Sequence, residues 1–188
     1  MPTQASMVTQ LTSSIEALLS GGDRRSIGRV AEVIAAVRAA PRRLPALIKA
    51  LGASDGVVAL RAADAIEKLS RVDAVRVGRY RATLLTAAAG TADPAIRWNL
   101  IQALERLTSG ARESARLVRR LEVWYLTDRS AIVRASALDA VVSLAERDAR
   151  LRAAARRVFD DARRSGSAAV RARARRLRRA WLVDGTEG

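Results

Sequence analysis

An arginine recurs along this chain at nearly fixed spacing, at Arg61, Arg97, Arg134 and Arg171, with intervals of 36, 37 and 37 residues. Each stands in a matching segment: 55–69 (DGVVALRAADAIEKL), 93–107 (DPAIRWNLIQALERL), 128–144 (DRSAIVRASALDAVVSL) and 166–180 (GSAAVRARARRLRRA). A more diverged copy begins near Asp23, with Arg29 in the corresponding place and Val30, Val33, Ile34 and Val37 as its apolar face. A unit this short cannot bury its apolar face alone, so successive copies must stack into one continuous core. That requirement restricts the chain to a repeat array.

The aligned segments read as helices. Ile96, Leu100, Ala103, Leu104 and Leu107 recur at three- and four-residue spacing, as one face of a helix does. Asp93 stands as an N-cap with Pro94 at the first helical position, where a missing N–H costs nothing. Asp55 and Asp128 hold the same place, and an aspartate cap is worth about 0.5–2 kcal/mol. Further amphipathic stretches lie between, at about 8–19, 42–51, 74–89, 111–126 and 149–164, with glycine at most junctions. The expectation is all-α, with about ten helices in five antiparallel pairs and no strand. The pairs cover about 8–40, 41–71, 73–108, 111–147 and 149–182 of a single domain spanning 1–188, with 183–188 as a short tail.

Asp93-Pro94-Ala95-Ile96-Arg97, followed by Ala103-Leu104, resembles the second helix of a HEAT repeat, and the other copies keep the Val/Ile-Arg and later Ala-Ile or Ala-Leu parts. The resemblance covers roughly residues 8 to 182. It implies a right-handed α-solenoid of about five helix pairs, in a family whose members mostly serve as binding surfaces. Some are enzymes or enzyme subunits, such as the alkylpurine DNA glycosylases and the bilin lyases. The resemblance also implies that the repeated arginine often pairs with acidic groups or carbonyls at the turns.

Composition narrows the function. The 188 residues hold no Cys and no His. That removes a disulfide framework, a zinc finger, imidazole ligation and every nucleophile that relies on a histidine base. No loop carries the carboxylate spacing of a magnesium or calcium site, so neither a metal nor another cofactor is expected. No apolar run approaches the roughly 20 residues that span a bilayer. The start is polar rather than signal-like, and cytoplasmic residence without membrane contact is the expectation.

Lys and Arg number 34 against 19 Asp and Glu, for a formal +15, and Lys49 and Lys68 are the two lysines. A GC-rich coding sequence accounts for arginine over lysine, but not for the shortage of acids. The excess is concentrated: 147–179 holds 13 arginines against Asp148, Asp160 and Asp161. Projected as a helix, Val170, Ala174, Leu177 and Trp181 fall within a stripe about 60° wide. Arg171, Arg173, Arg175, Arg176, Arg178 and Arg179 cover much of the remainder. A terminal repeat needs a polar outer face, yet capping does not require a single sign of charge. Arginine forks suit carboxylate and phosphate, so these six are candidate anion ligands.

No aromatic is interleaved among them before Trp181, which disfavours single-strand stacking. An acidic protein surface is the expected partner, with duplex nucleic acid as the alternative. Arg97 and Arg134 would join the set if the repeated arginines line a groove rather than serve the turns. Trp98, off its helix's main stripe beside Ile101, is a candidate groove aromatic. Trp124 and Asp128 are the nearest approach to a glycosylase pair. Trp124, however, lies in the Leu117/Leu121 stripe and Asp128 holds the capping place. The expectation is a non-catalytic binding scaffold without a catalytic residue.

Overall fold

A computed structural model of the chain describes residues 15–23, 26, 28–164 and 167–181, with side chains through Leu177. Among the described residues the secondary structure is entirely helical. The elements are α1 (15–19), α2 (Val30–Ala39), α3 (Leu44–Lys49), α4 (Gly56–Val72), α5 (Ala74–Gly78), α6 (Arg81–Gly90), α7 (Pro94–Leu107), α8 (Ala111–Thr127), α9 (Ala131–Arg147), α10 (Arg152–Arg164) and α11 (Ala168–Trp181). Residues 8–14 of the expected first helix lie outside the described residues.

Two of the expected helices are broken. The stretch 74–89 divides after Gly78, where the Tyr80 N–H returns to the Val77 carbonyl at 3.0 Å and tightens the turn before α6. Glycine weakens a helix interior, and no side chain at that position compensates. The stretch 42–51 becomes a 3-10 turn (Pro41–Arg43), the short α3 and a second 3-10 turn (Ala50–Gly52). Pro41 and Pro45 each lack the N–H that a longer helix would need.

The chain divides into two compact units, Met1–Leu107 and Thr108–Gly188. In the first, α4 packs against α2 and α7, and α7 against α5 and α6. Leu47, Ile66, Leu69, Leu84, Leu100 and Leu104 are fully buried there. Alanines 59, 62, 63 and 65 are also buried, which lets neighbouring backbones approach α4 closely. In the second unit α9 touches α8, α10 and α11. Its buried residues, among them Val133, Ala137, Leu138, Val141 and Leu144, surround most of its circumference, as a helix with neighbours on several sides requires. Val170 and Ala174 of α11 are buried against this core and Leu177 is half-buried.

Asp55 caps α4 by accepting the Val57 N–H at 2.8 Å, and Asp93 accepts those of Ala95 and Ile96 at 2.9 and 3.4 Å. The third copy differs. Its segment is two residues longer, and Asp128 accepts the Ser130 N–H at 2.8 Å while Ser130 takes the N-cap place of α9. Asp128 therefore orders the turn before the helix rather than capping it.

Candidate anion-docking surface

Three of the repeated arginines, Arg61, Arg97 and Arg134, are turned toward helix ends and the turns that follow. Arg61 is 3% exposed, and its guanidinium donates to five main-chain carbonyls: Leu19 (2.7 Å), Ser20 (3.3 Å), Gly21 (2.5 Å), Asp23 (3.1 Å) and Ser26 (3.2 Å). The chain leaving α1 wraps around this cation. Gly21, Gly22 and Gly28 all have positive φ there, and a Cβ on Gly28 would fall 2.7 Å from Arg61 Cζ.

Arg97 donates through Nε to Ala88 O at 3.0 Å and through Nη2 to Thr91 O, at the end of α6. Arg134 donates through Nε to Tyr125 O at 2.8 Å, at the end of α8, with its guanidinium 5.3 Å from the Tyr125 ring centroid. The last carbonyls of a helix lack intrahelical partners and carry the negative end of its dipole, so a guanidinium fits there. Arg97 and Arg134 are thus engaged by the fold itself and drop out of the candidate surface. Arg171 is half-buried. Arg29, in the most diverged copy, takes no such role and pairs with Glu32 at 2.6 Å instead.

On α11 the arginines divide by direction. Arg173 pairs with Asp139 of α9, and Arg176 approaches the same oxygen at 3.8 Å. Burial holds the Arg173 guanidinium below its usual pKa, and the neighbouring charge of Arg176 pushes the same way. Asp139 is therefore a clamp between α9 and α11. Arg175 is exposed and makes no ion pair among the described residues. The side chains of Arg178 and Arg179 lie outside the described residues.

A second arginine face stands on α10, whose arginines form part of the charge excess over 147–179. Arg157 reaches Glu122 of α8 at 2.9 Å, and Asp161 accepts the Tyr125 hydroxyl at 2.6 Å. These contacts fix the flank of α10 toward α8, while Ala155, Val158, Phe159 and Ala162 form its buried face. On the remaining flank Arg152, Arg156 and Arg163 lie within about 40° of one another by helical projection. All three are exposed and make no ion pair among the described residues. Their spacing of four and seven residues was the available signal. Unit two as a whole carries 19 arginines against 10 acids.

The first unit also carries exposed arginines, Arg38, Arg42 and Arg79, that make no ion pair among the described residues. An open groove of the first unit, roughly 820 Å³, runs between α3 and α6 over Gly56, Ala59 and Ile96. Lys49 and Asp93 are its charged lining residues; the others are small, apolar or hydroxylic. Trp98 is half-buried on α7, and Trp124 is buried. Asp128 is held by its turn, so the Trp124/Asp128 pair does not form an open site. Among the described residues no group of three or more Cys, Asp or Glu is arranged to hold a metal, and no helix is long and apolar enough to cross a membrane.

No protein-family model matches this chain, and no curated protein is significantly similar to it. The surface must be read from its own chemistry.

Proposed function

We propose that the chain is a non-catalytic, cytoplasmic binding scaffold, a right-handed HEAT-like α-solenoid of about five helix pairs. It docks an acidic protein through the basic surface of its last pair, α10 and α11. The 36- to 37-residue repeat and the shared fourth-helical-residue placement of Arg97, Arg134 and Arg171 support the architecture. The observation that carries the function is the sidedness of α10. Its arginine toward α8 is paired with an acid, whereas Arg152, Arg156 and Arg163 on the other flank make no ion pair among the described residues and outnumber Asp160, the acid of α10 nearest them by helical projection. Simple solubility would be met by mixed charge with less self-repulsion. Unmatched guanidinium forks are donors awaiting carboxylates.

Duplex nucleic acid is the competing occupant, since phosphate accepts the same forks. Anisotropy with labelled random-sequence duplex DNA separates the two. Affinity weaker than about 10 µM at physiological ionic strength is expected from charge alone. Submicromolar binding that falls steeply with log salt would overturn the protein-docking reading.

A further inference from the structure

The outer face of α8 joins cationic and apolar residues in one unpartnered stripe. Arg112, Arg116, Arg119, Val123 and Leu126 fall within about 80° by helical projection, opposite the buried Leu117, Leu121 and Trp124. Arg112, Arg116 and Arg119 are exposed and make no ion pair among the described residues. Val123 is 47% exposed and Leu126 68%, and Ile132, just past the turn into α9, is 46% exposed. Glu113 and Glu122 lie on the flanks of α8 and leave the stripe without an acid, Glu122 being taken by Arg157. Charge and apolarity are also separated along the axis. The arginines occupy the first turns of the helix and the aliphatics the last.

We infer that this face receives an amphipathic acidic helix of the partner, with carboxylates along one half of its contact edge and aliphatic side chains along the other. The inference rests on the reading of the chain as a scaffold for an acidic protein. Charge complementarity selects the acidic half, and Val123, Leu126 and Ile132 select the apolar half, for which a nucleic-acid backbone has no counterpart. From Arg112 to Leu126 the stripe runs about 21 Å. A helix laid alongside repeats its side chains at the same three- and four-residue spacing, so each turn meets its counterpart. A membrane surface is a poorer occupant, because interfacial anchoring favours exposed Trp or Tyr, and Trp124 and Tyr125 are turned into the core.

The test uses the full chain and a labelled helical peptide of about five turns whose contact edge carries glutamates in one half and leucines in the other. A peptide of identical composition with the two interleaved, polyglutamate, and vesicles containing phosphatidylserine are titrated in parallel. The segregated peptide should bind about tenfold more tightly than the interleaved one. Val123→Ser with Leu126→Ser should abolish that advantage and leave polyglutamate affinity unchanged, whereas Arg116→Gln with Arg119→Gln should weaken both. Circular dichroism confirms that these surface variants remain helical. Equal affinity for the two peptides, or an unaffected serine variant, overturns the α8 inference while polyglutamate binding keeps the scaffold reading. Failure of every acidic probe overturns both. Vesicle binding lost in the serine variant, without peptide binding, assigns the face to a membrane and overturns the inference.

Discussion

Arg61 shows how a cation is used when no carboxylate meets it. Five carbonyl oxygens replace its hydration, and all five belong to the end of α1 or the loop that follows. Lysine, a point charge with three donors, cannot span that ring of acceptors. Arg61→Lys is expected to lower stability by about 2–3 kcal/mol in denaturant melts, through carbonyls left unsatisfied. Gly28→Ala should produce a loss of similar size, because its φ is +53° and the new methyl would displace the guanidinium. The recurrence of the arginine was legible in the sequence. The resemblance also pointed to carbonyls or acids at the turns, but not to which ones: folding brings them from about 40 residues upstream of Arg61, from six and nine upstream of Arg97 and from nine upstream of Arg134.

Tyr125 gives a pH-dependent check on the α8–α10 contact. Burial, then the bond to Asp161, pushes its hydroxyl up to about 12, while Arg134 pulls the other way. The unfolded chain releases this proton near pH 10. The associated stability is therefore fully present below about pH 10 and is lost as pH rises toward 12. Tyr125→Phe should flatten that alkaline decline in melts across the interval; an unchanged slope would show that the hydroxyl is not what titrates.

At the scale of elements, periodicity identified the helices that pack on one clear face and misjudged those interrupted by backbone chemistry. The stripe on α7 lies in the core as expected, with Leu104 1% exposed. Leu104→Ala should cost about 2–5 kcal/mol, measurable by thermal or urea unfolding. Gly78, Pro41 and Pro45 were visible as residues, but their effect depended on whether tertiary contacts could hold a continuous helix across them. The arginines of α11 show the same limit. Six looked equivalent on a wheel, yet Arg173 and Arg176 face Asp139, an acid 34 and 37 residues away on α9. Replacing Arg173 by Gln should lower stability by leaving the half-buried Asp139 carboxylate poorly matched, whereas Arg175→Gln should leave the melting temperature unchanged.

At the scale of the whole molecule, the +15 resolves into three uses of arginine. Some seal helix ends, some clamp one helix to the next, and a remainder, including arginines of α8, α10 and α11, is exposed without an ion pair among the described residues. Its members on α10 and α11 constitute the docking surface we propose, and those on α8 the face inferred to receive the partner's helix. Changing Arg152, Arg156, Arg163 and Arg175 together to Gln should leave the fold intact, because exposed charges contribute little to stability and self-repulsion falls. The most direct test is capture from nuclease-treated lysate with the tagged full chain and with this four-Gln variant, quantified for stoichiometry. One acidic protein retained near one-to-one by the natural chain, and lost by the variant, is the expected result. Recovery of nucleic acid alone when nuclease is omitted, or a partner held equally by both chains, would contradict it.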